Sequence, residues 1–157
     1  MSVLRDAMKK SDRIAAMLPP SRSGERFHPA YLGYFEHFNR MLYYEAHDVL
    51  EHLWLQQRGA ADDHFYKGLI QFAGAFVHFK QQYLHPAHAK HGRRLRPGSR
   101  LLLLSRHYLA PYGPEHGGLD LLALRRFCES TAEGIVASGY RLNPWNPADP
   151  PVLRLEA

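Results

Sequence analysis

Two stretches decide the fold, FNRMLYYEAHDVLEHLW (residues 38–54) and FYKGLIQFAGAFVHF (residues 65–79). At about 100° per residue, Phe35, Phe38, Leu42, Ala46, Val49 and Leu53 share one helical face, widened by Leu50 and Trp54, with Asn39 inside it. Between Ala30 and Leu55 there is no proline and no glycine except Gly33. The second stretch is apolar around most of its circumference, as a buried helix is. Its polar residues fall on one stripe, Lys67, Gln71 and His78, at i, i+4 and i+11, with Gly74 at i+7. The connector between them, QQRGAADDH, is short and polar. The spacing therefore predicts two long antiparallel helices, 30–55 and 65–82, packed as a hairpin over residues 30–82.

Working outward, Ser2–Leu18 reads as a short helix stopped by Pro19-Pro20. Residues 21–29 read as a loop, and the histidine-rich run from Pro86 to Gly92 as a connector. Pro97 and Gly98 mark the start of an apolar helix over Ser99–Leu109 with arginines at both ends. After a loop over Pro111–Gly118, Asp120 can cap a last helix, which Gly139 ends as its C′ residue. The tail, RLNPWNPADPPVLRLEA, carries four prolines in eight residues and is expected to run extended over the bundle surface. No strand pattern of period two is present. The expectation is an all-α, single-domain bundle of about five helices spanning residues 1–157.

Composition sets the outer bounds. A chain of 157 residues with 45% hydrophobic and 22% charged residues matches a folded domain and excludes disorder as the main state. No apolar run approaches the roughly 20 residues that span a bilayer, so no membrane partner is expected. MSVLRDAMKKSDR has charges where a signal peptide needs an apolar core. Cys128 is the sole cysteine, which rules out an intramolecular disulfide and a cysteine metal knot and fits a reducing, cytoplasmic setting.

The chemistry-bearing residues cluster on the two signature helices. Glu45 and His47 lie at opposite edges of the apolar face, roughly 160° apart, so they cannot hold one ion from one side of the helix. His47 and Glu51, four apart, can share a site; Tyr44 lies close to them and Asp48 beyond Glu51. One hairpin register puts Glu51 opposite Lys67 and His47 opposite Gln71; a register about one turn different brings His47 to His78. Glu45, His47, Glu51 and His78 are the catalytic candidates, with histidine as a base poised near neutral pH. Tyr44, Lys67 and Gln71 are the substrate-binding candidates. No metal cofactor is predicted, because helical di-metal sites use Glu-x-x-His pairs and this chain has Glu-x-His. A divalent ion, if bound, would take His47, Glu51 and His78. The competing reading makes the same residues a buried hydrogen-bond network that fixes how two helices dock. Lys67, Gln71 and His78 would then each be largely buried and bonded to Tyr44, Glu45, His47, Asp48 or Glu51.

These two stretches resemble the signature of a bacterial and archaeal family, domain-of-unknown-function family 309. Its pattern is F-N-x-G-x-Y-x-E-A-H-(D/E)-x-L-E-x-x-W, followed by F-x-x-G-L-I-Q-x-A-x-A-x-x-H. Met41 stands where the family commonly has glycine. Weaker similarity extends over residues 91–109 and the proline-rich tail. The resemblance implies a small, soluble, all-helical protein with no established biochemical activity.

Twenty Lys+Arg against fifteen Asp+Glu give a net charge of +5. Arg93, Arg94, Arg96, Arg100 and Arg106 read as a solvated basic helix face; only Tyr108 is near them, so nucleic-acid binding is not expected. Trp145, between two Asn-Pro steps, reads as a residue that pins the tail to the core. Cys128 reads as a buried small hydrophobe. Two function classes stay open. One is a small-molecule binder, with or without hydrolase-like chemistry, working at the signature cluster. The other is a non-catalytic interaction protein whose signature is architectural. The partner is then an unidentified small molecule or protein, and self-association is left open.

Overall fold

The structure, a computed structural model, describes residues 26–156 together with Arg13, Ile14, Ala16 and Met17. Apart from those four residues, the helix expected over Ser2–Leu18 and its proline stop lie outside the described residues.

His28 starts α1 (Pro29–Asn39) by accepting the Ala30 N–H on Nδ1 at 3.0 Å. Pro29 at the first helical position has no N–H to leave unpaired. The expected continuous helix over 30–55 is broken after Asn39. Met41 takes φ 63°, and the Leu42 and Met41 N–H groups return to the carbonyls of His37 and Phe38, both at 2.9 Å. That pair of bonds is a Schellman closure, which normally has glycine at the left-handed position. A side chain there costs about 1–2 kcal/mol, and methionine gives no turn signal in a sequence, which is why the break is invisible to periodicity. The chain resumes as α2 (Tyr43–Gln56). The apolar face survives the break: Phe35 and Phe38 on α1, and Ala46, Val49, Leu50 and Leu53 on α2, are all buried.

α3 (Asp63–Leu84) is the central helix, with α2 and α4 (Leu95–Leu109) both packed on it. Its Phe65, Leu69, Phe72, Phe76 and Phe79 share one face, all at most 1% exposed. Phe38 of α1 stacks on Phe72 at 5.4 Å, and the Tyr34 hydroxyl donates to the Leu69 carbonyl at 2.6 Å. Phe127, on the last helix, closes over Phe72 and Phe76. Lys80 reaches from α3 to the Met41 carbonyl at 2.9 Å, so the strained turn is tied to the central helix.

α4 begins four residues earlier than the Ser99 start read from the sequence. Gln82 of α3 explains the earlier start, since its Oε1 accepts the N–H groups of Arg94 and Leu95 at 2.7 and 3.0 Å. Pro97 falls in the first turn, where an N–H has no intrahelical partner to lose. Gly98 lets α4 sit directly on Phe79: a Cβ there would lie 2.4 Å from the ring. Gly98→Ala is therefore expected to destabilise by about 1–3 kcal/mol, the range for overpacking a tight core contact. Denaturant titration checks this; a midpoint unchanged from wild type would mean that the interface yields easily.

Beyond a short 3-10 turn (Ala110–Tyr112), the segment expected to be a loop holds a small hairpin, β1 (Glu115–His116) with β2 (Leu119–Asp120). Gly117 and Gly118, at φ 58° and 76°, make the turn, matching the left-handed pair that a two-residue hairpin needs. His116 Nε2 meets Asp62 Oδ1 at 2.9 Å, and the Tyr31 hydroxyl donates to the Gly117 carbonyl at 2.6 Å. Asp120 caps α5 (Leu121–Ala137) through the Ala123 N–H at 2.9 Å, and Gly139 at φ 66° ends it as expected.

Residues 141–156 hold no helix or strand. Asn143 donates to the Phe79 carbonyl at 2.9 Å, and the buried Trp145 indole donates to the Tyr43 hydroxyl at 2.8 Å. Asn39, the polar residue inside the apolar face, both donates to and accepts from the Leu153 backbone at 2.8 Å, as a neighbouring strand would. The described residues are thus mostly helical with one two-stranded sheet, and no helix among them is long and apolar enough to cross a membrane.

Candidate functional site

The polar stripe of α3 lies on the side opposite its phenylalanine face and opens between α2 and α4. Three contacts place it. Lys67 Nζ sits 5.7 Å from the Trp54 ring of α2 and 4.8 Å from the Tyr108 ring of α4. A Cβ on Gly74 would meet nothing within 4 Å except a Leu101 methyl at 3.1 Å. His78 Nδ1 lies 3.1 Å from Arg94 Nη1, at the start of α4. The stripe therefore lies between α2 and α4.

Trp54 marks the side of α2 that faces the stripe. Its indole N–H donates to Asp63, whose carboxylate also accepts the Gly59 N–H at 2.7 Å. These two bonds, the Gly59 amide first, hold the Asp63 carboxyl below its ordinary range. His47 precedes Trp54 by seven residues, two helical turns, so it shares Trp54's line on the helix; Glu51 and Tyr44 fall next to that line. His47 Nδ1 lies 3.1 Å from Asp48 and Nε2 lies 3.7 Å from Glu51, all three half-buried. Tyr44 is 54% exposed. Glu45 projects from the far side of α2 and leaves the candidate site.

The structure corrects the network expected across the hairpin. Lys67 faces two aromatic rings and His78 faces Arg94, while Gln71 forms no side-chain hydrogen bond with any described residue. All three are half-buried, and none bonds to Tyr44, Glu45, His47, Asp48 or Glu51. The register explains why. Lys67 meets Trp54, and not Glu51 as the first register required, and His78 is taken by Arg94 before His47 can reach it. His47, Glu51 and His78 are accordingly not gathered into a metal site, and no group of three or more His, Cys, Asp or Glu among the described residues could hold a metal ion.

Electrostatics assign the state of His78. Arginine only donates hydrogen bonds, so the His78 Nδ1 must accept, which leaves Nε2–H as a donor. Burial, then the Arg94 charge, lower its pKa below the ordinary imidazole value and keep it neutral. Arg94 extends the same arrangement to His91, whose Nδ1 lies 2.6 Å from Nη2. Trp54, Tyr108 and Arg94 meet the stripe, and sequence reasoning did not place them there. The two-turn spacing of Trp54 from His47 was the available signal for the first; nothing local marks the other two.

No curated protein and no solved structure matches the chain. Residues 31–89, from the first turn of α1 through α3 and the first residues after it, match the model of one family, a domain of unknown function (DUF309).

Proposed function

We propose that the stripe between α2 and α4 binds a small polar molecule without a metal. Gln71 and His78 would contact it from α3, His47 and Glu51 from α2, and Lys67 at one end. The observation that carries this reading is Gln71, half-buried on the stripe with no side-chain hydrogen bond to any described residue. A buried structural network pairs its members, because an unpaired polar group costs about 1–3 kcal/mol. Here Gln71 has no partner among the described residues, and Gly74, about one turn on, carries no side chain to cover it.

Within that reading, His78 donates through Nε2–H. His47, oriented by Asp48, is the group able to accept a proton from a bound hydroxyl or water. That is the arrangement a hydrolase-like step would use, with Glu51 beside the protonated ring.

Gln71→Ala and His47→Ala test the reading together. Each is expected to shift stability by no more than about 0.5 kcal/mol, as for a surface change. Each should also remove the thermal stabilisation that wild type shows with a hit from a panel of small carboxylic acids, nucleosides and sugars. Losses of about 1–3 kcal/mol in both variants would instead make the stripe architectural. A panel with no hit on wild type counts against the binding reading as well.

A further inference from the structure

A second cleft lies at the start of α4, next to the Arg94 that reaches His78. Residues 64–114 contain eight Lys and Arg and no Asp or Glu. The start of α4, within this stretch, and the residues just after α5 enclose a cleft of about 440 Å³ lined by Gln82, Gly92, Arg93, Leu95, Arg96 and Tyr140. Four other clefts among the described residues have a carboxylate in the same lining as their cations. Arg154 has Asp120 on one side and Glu36 on the other; Arg106, Arg125 and Arg126 have Glu129; Arg26 has Glu115 and Glu156. The cleft at Arg93 and Arg96 has cations and no acid.

The side chains of Gln82, Arg93 and Arg96 all present donors to it. The Arg96 guanidinium rests 4.6 Å over the Tyr140 ring, which holds the planar fork in place without using its N–H groups. Gln82 Oε1 is spent on the Arg94 and Leu95 amides, so only its NH₂ remains free. Arg93 is exposed and forms no side-chain hydrogen bond or ion pair with any described residue. Behind the cleft, the Arg94 Nε is buried without a partner, and its two terminal nitrogens meet imidazoles that carry no negative charge. A fixed positive charge with no carboxylate beside it is costly unless an anion answers it.

We propose that this cleft binds the phosphate or carboxylate group of a small molecule through Arg93 and Arg96. Guanidinium forks favour such planar or tetrahedral oxyanions through paired, charge-assisted bonds. Neither Arg93 nor Arg96 bonds to Lys67, Gln71, His78, His47 or Glu51, so the proposal does not depend on the preceding one.

Calorimetric titration of the full chain with inorganic phosphate, and in parallel with acetate, tests the proposal, with sodium chloride at equal ionic strength as the reference. The expected result is saturable binding of one of the two, weakened about tenfold or more by Arg93→Gln and by Arg96→Gln, the loss of one charge-assisted contact. Arg126→Gln, on another face, should bind as wild type does. Arg93 holds no other element in place, so its variant keeps the test alive if Arg96→Gln folds poorly. No heat beyond that of chloride, or equal binding by all three variants, would overturn the proposal.

Discussion

Replacing Trp145 by alanine is expected to cost about 3–5 kcal/mol, the range for deleting a buried aromatic. The indole is 3% exposed, although it sits in a segment with no helix or strand. It meets the Tyr43 ring edge-on at 6.3 Å and the Tyr83 ring at 5.3 Å, and it donates to the Tyr43 hydroxyl. Tyr43 is itself only 2% exposed, so alanine leaves both a cavity and a buried hydroxyl without its donor. Trp145→Phe keeps most of the volume and loses the bond, which predicts a smaller loss of about 1–2 kcal/mol. Urea denaturation of the two variants gives the ordering. Equal, small losses in both would show that residues 141–156 lie on the core without contributing to its stability.

The second large effect is alkaline unfolding. Cys128 is fully buried, and desolvation raises its thiol from an ordinary 9.0 to about 12. Tyr34, completely buried against the Leu69 carbonyl, and Tyr31 are also pushed upward, again mainly by burial. A raised pKa means that the native state keeps its proton when the unfolded state has lost it. Stability is therefore intact below pH 9, falls as pH rises through 9 to 12 on account of the thiol, and falls further once the tyrosines ionise in the unfolded chain. The interval from 9.0 to about 12 amounts to roughly 4 kcal/mol for Cys128. Denaturation midpoints measured from pH 8 to 12 should show this limb, and Cys128→Ala should flatten its first part. A limb of the same slope in Cys128→Ala would place the alkaline sensitivity elsewhere. The same burial predicts that native protein reacts with thiol reagents only as fast as it opens.

Some of this molecule was legible in its residues. Helix content, the apolar faces of α2 and α3, the Asp120 cap and the Gly139 stop all follow from local rules: periodicity of 3.6, a short acceptor side chain at an N-terminus, a glycine at a left-handed C′ position. The sole polar stripe on α3 was visible for the same reason, since a helix carries its own angular coordinates. The break at Arg40–Leu42 was not, because the left-handed residue there is methionine and its strain is offset by contacts from elsewhere, among them Lys80 on its carbonyl. Nor was the early start of α4, which Gln82 caps from another helix.

The site divides along the same line. The sequence alone could say that His47 and Glu51 share a side of α2 and that Glu45 does not. Which residues of α3 and α4 they meet depends on the axial offset between helices. A shift of about one turn, roughly 5.4 Å, exchanges every partner while leaving each helix's own pattern unchanged. Tertiary packing chose that offset. The Asp63 clamp on Trp54, Gly68 against Leu109 and Gly98 against Phe79 admit one close approach of the three helices. That approach sends Lys67 to Trp54 and Tyr108 and His78 to Arg94, and leaves Gln71 open between them.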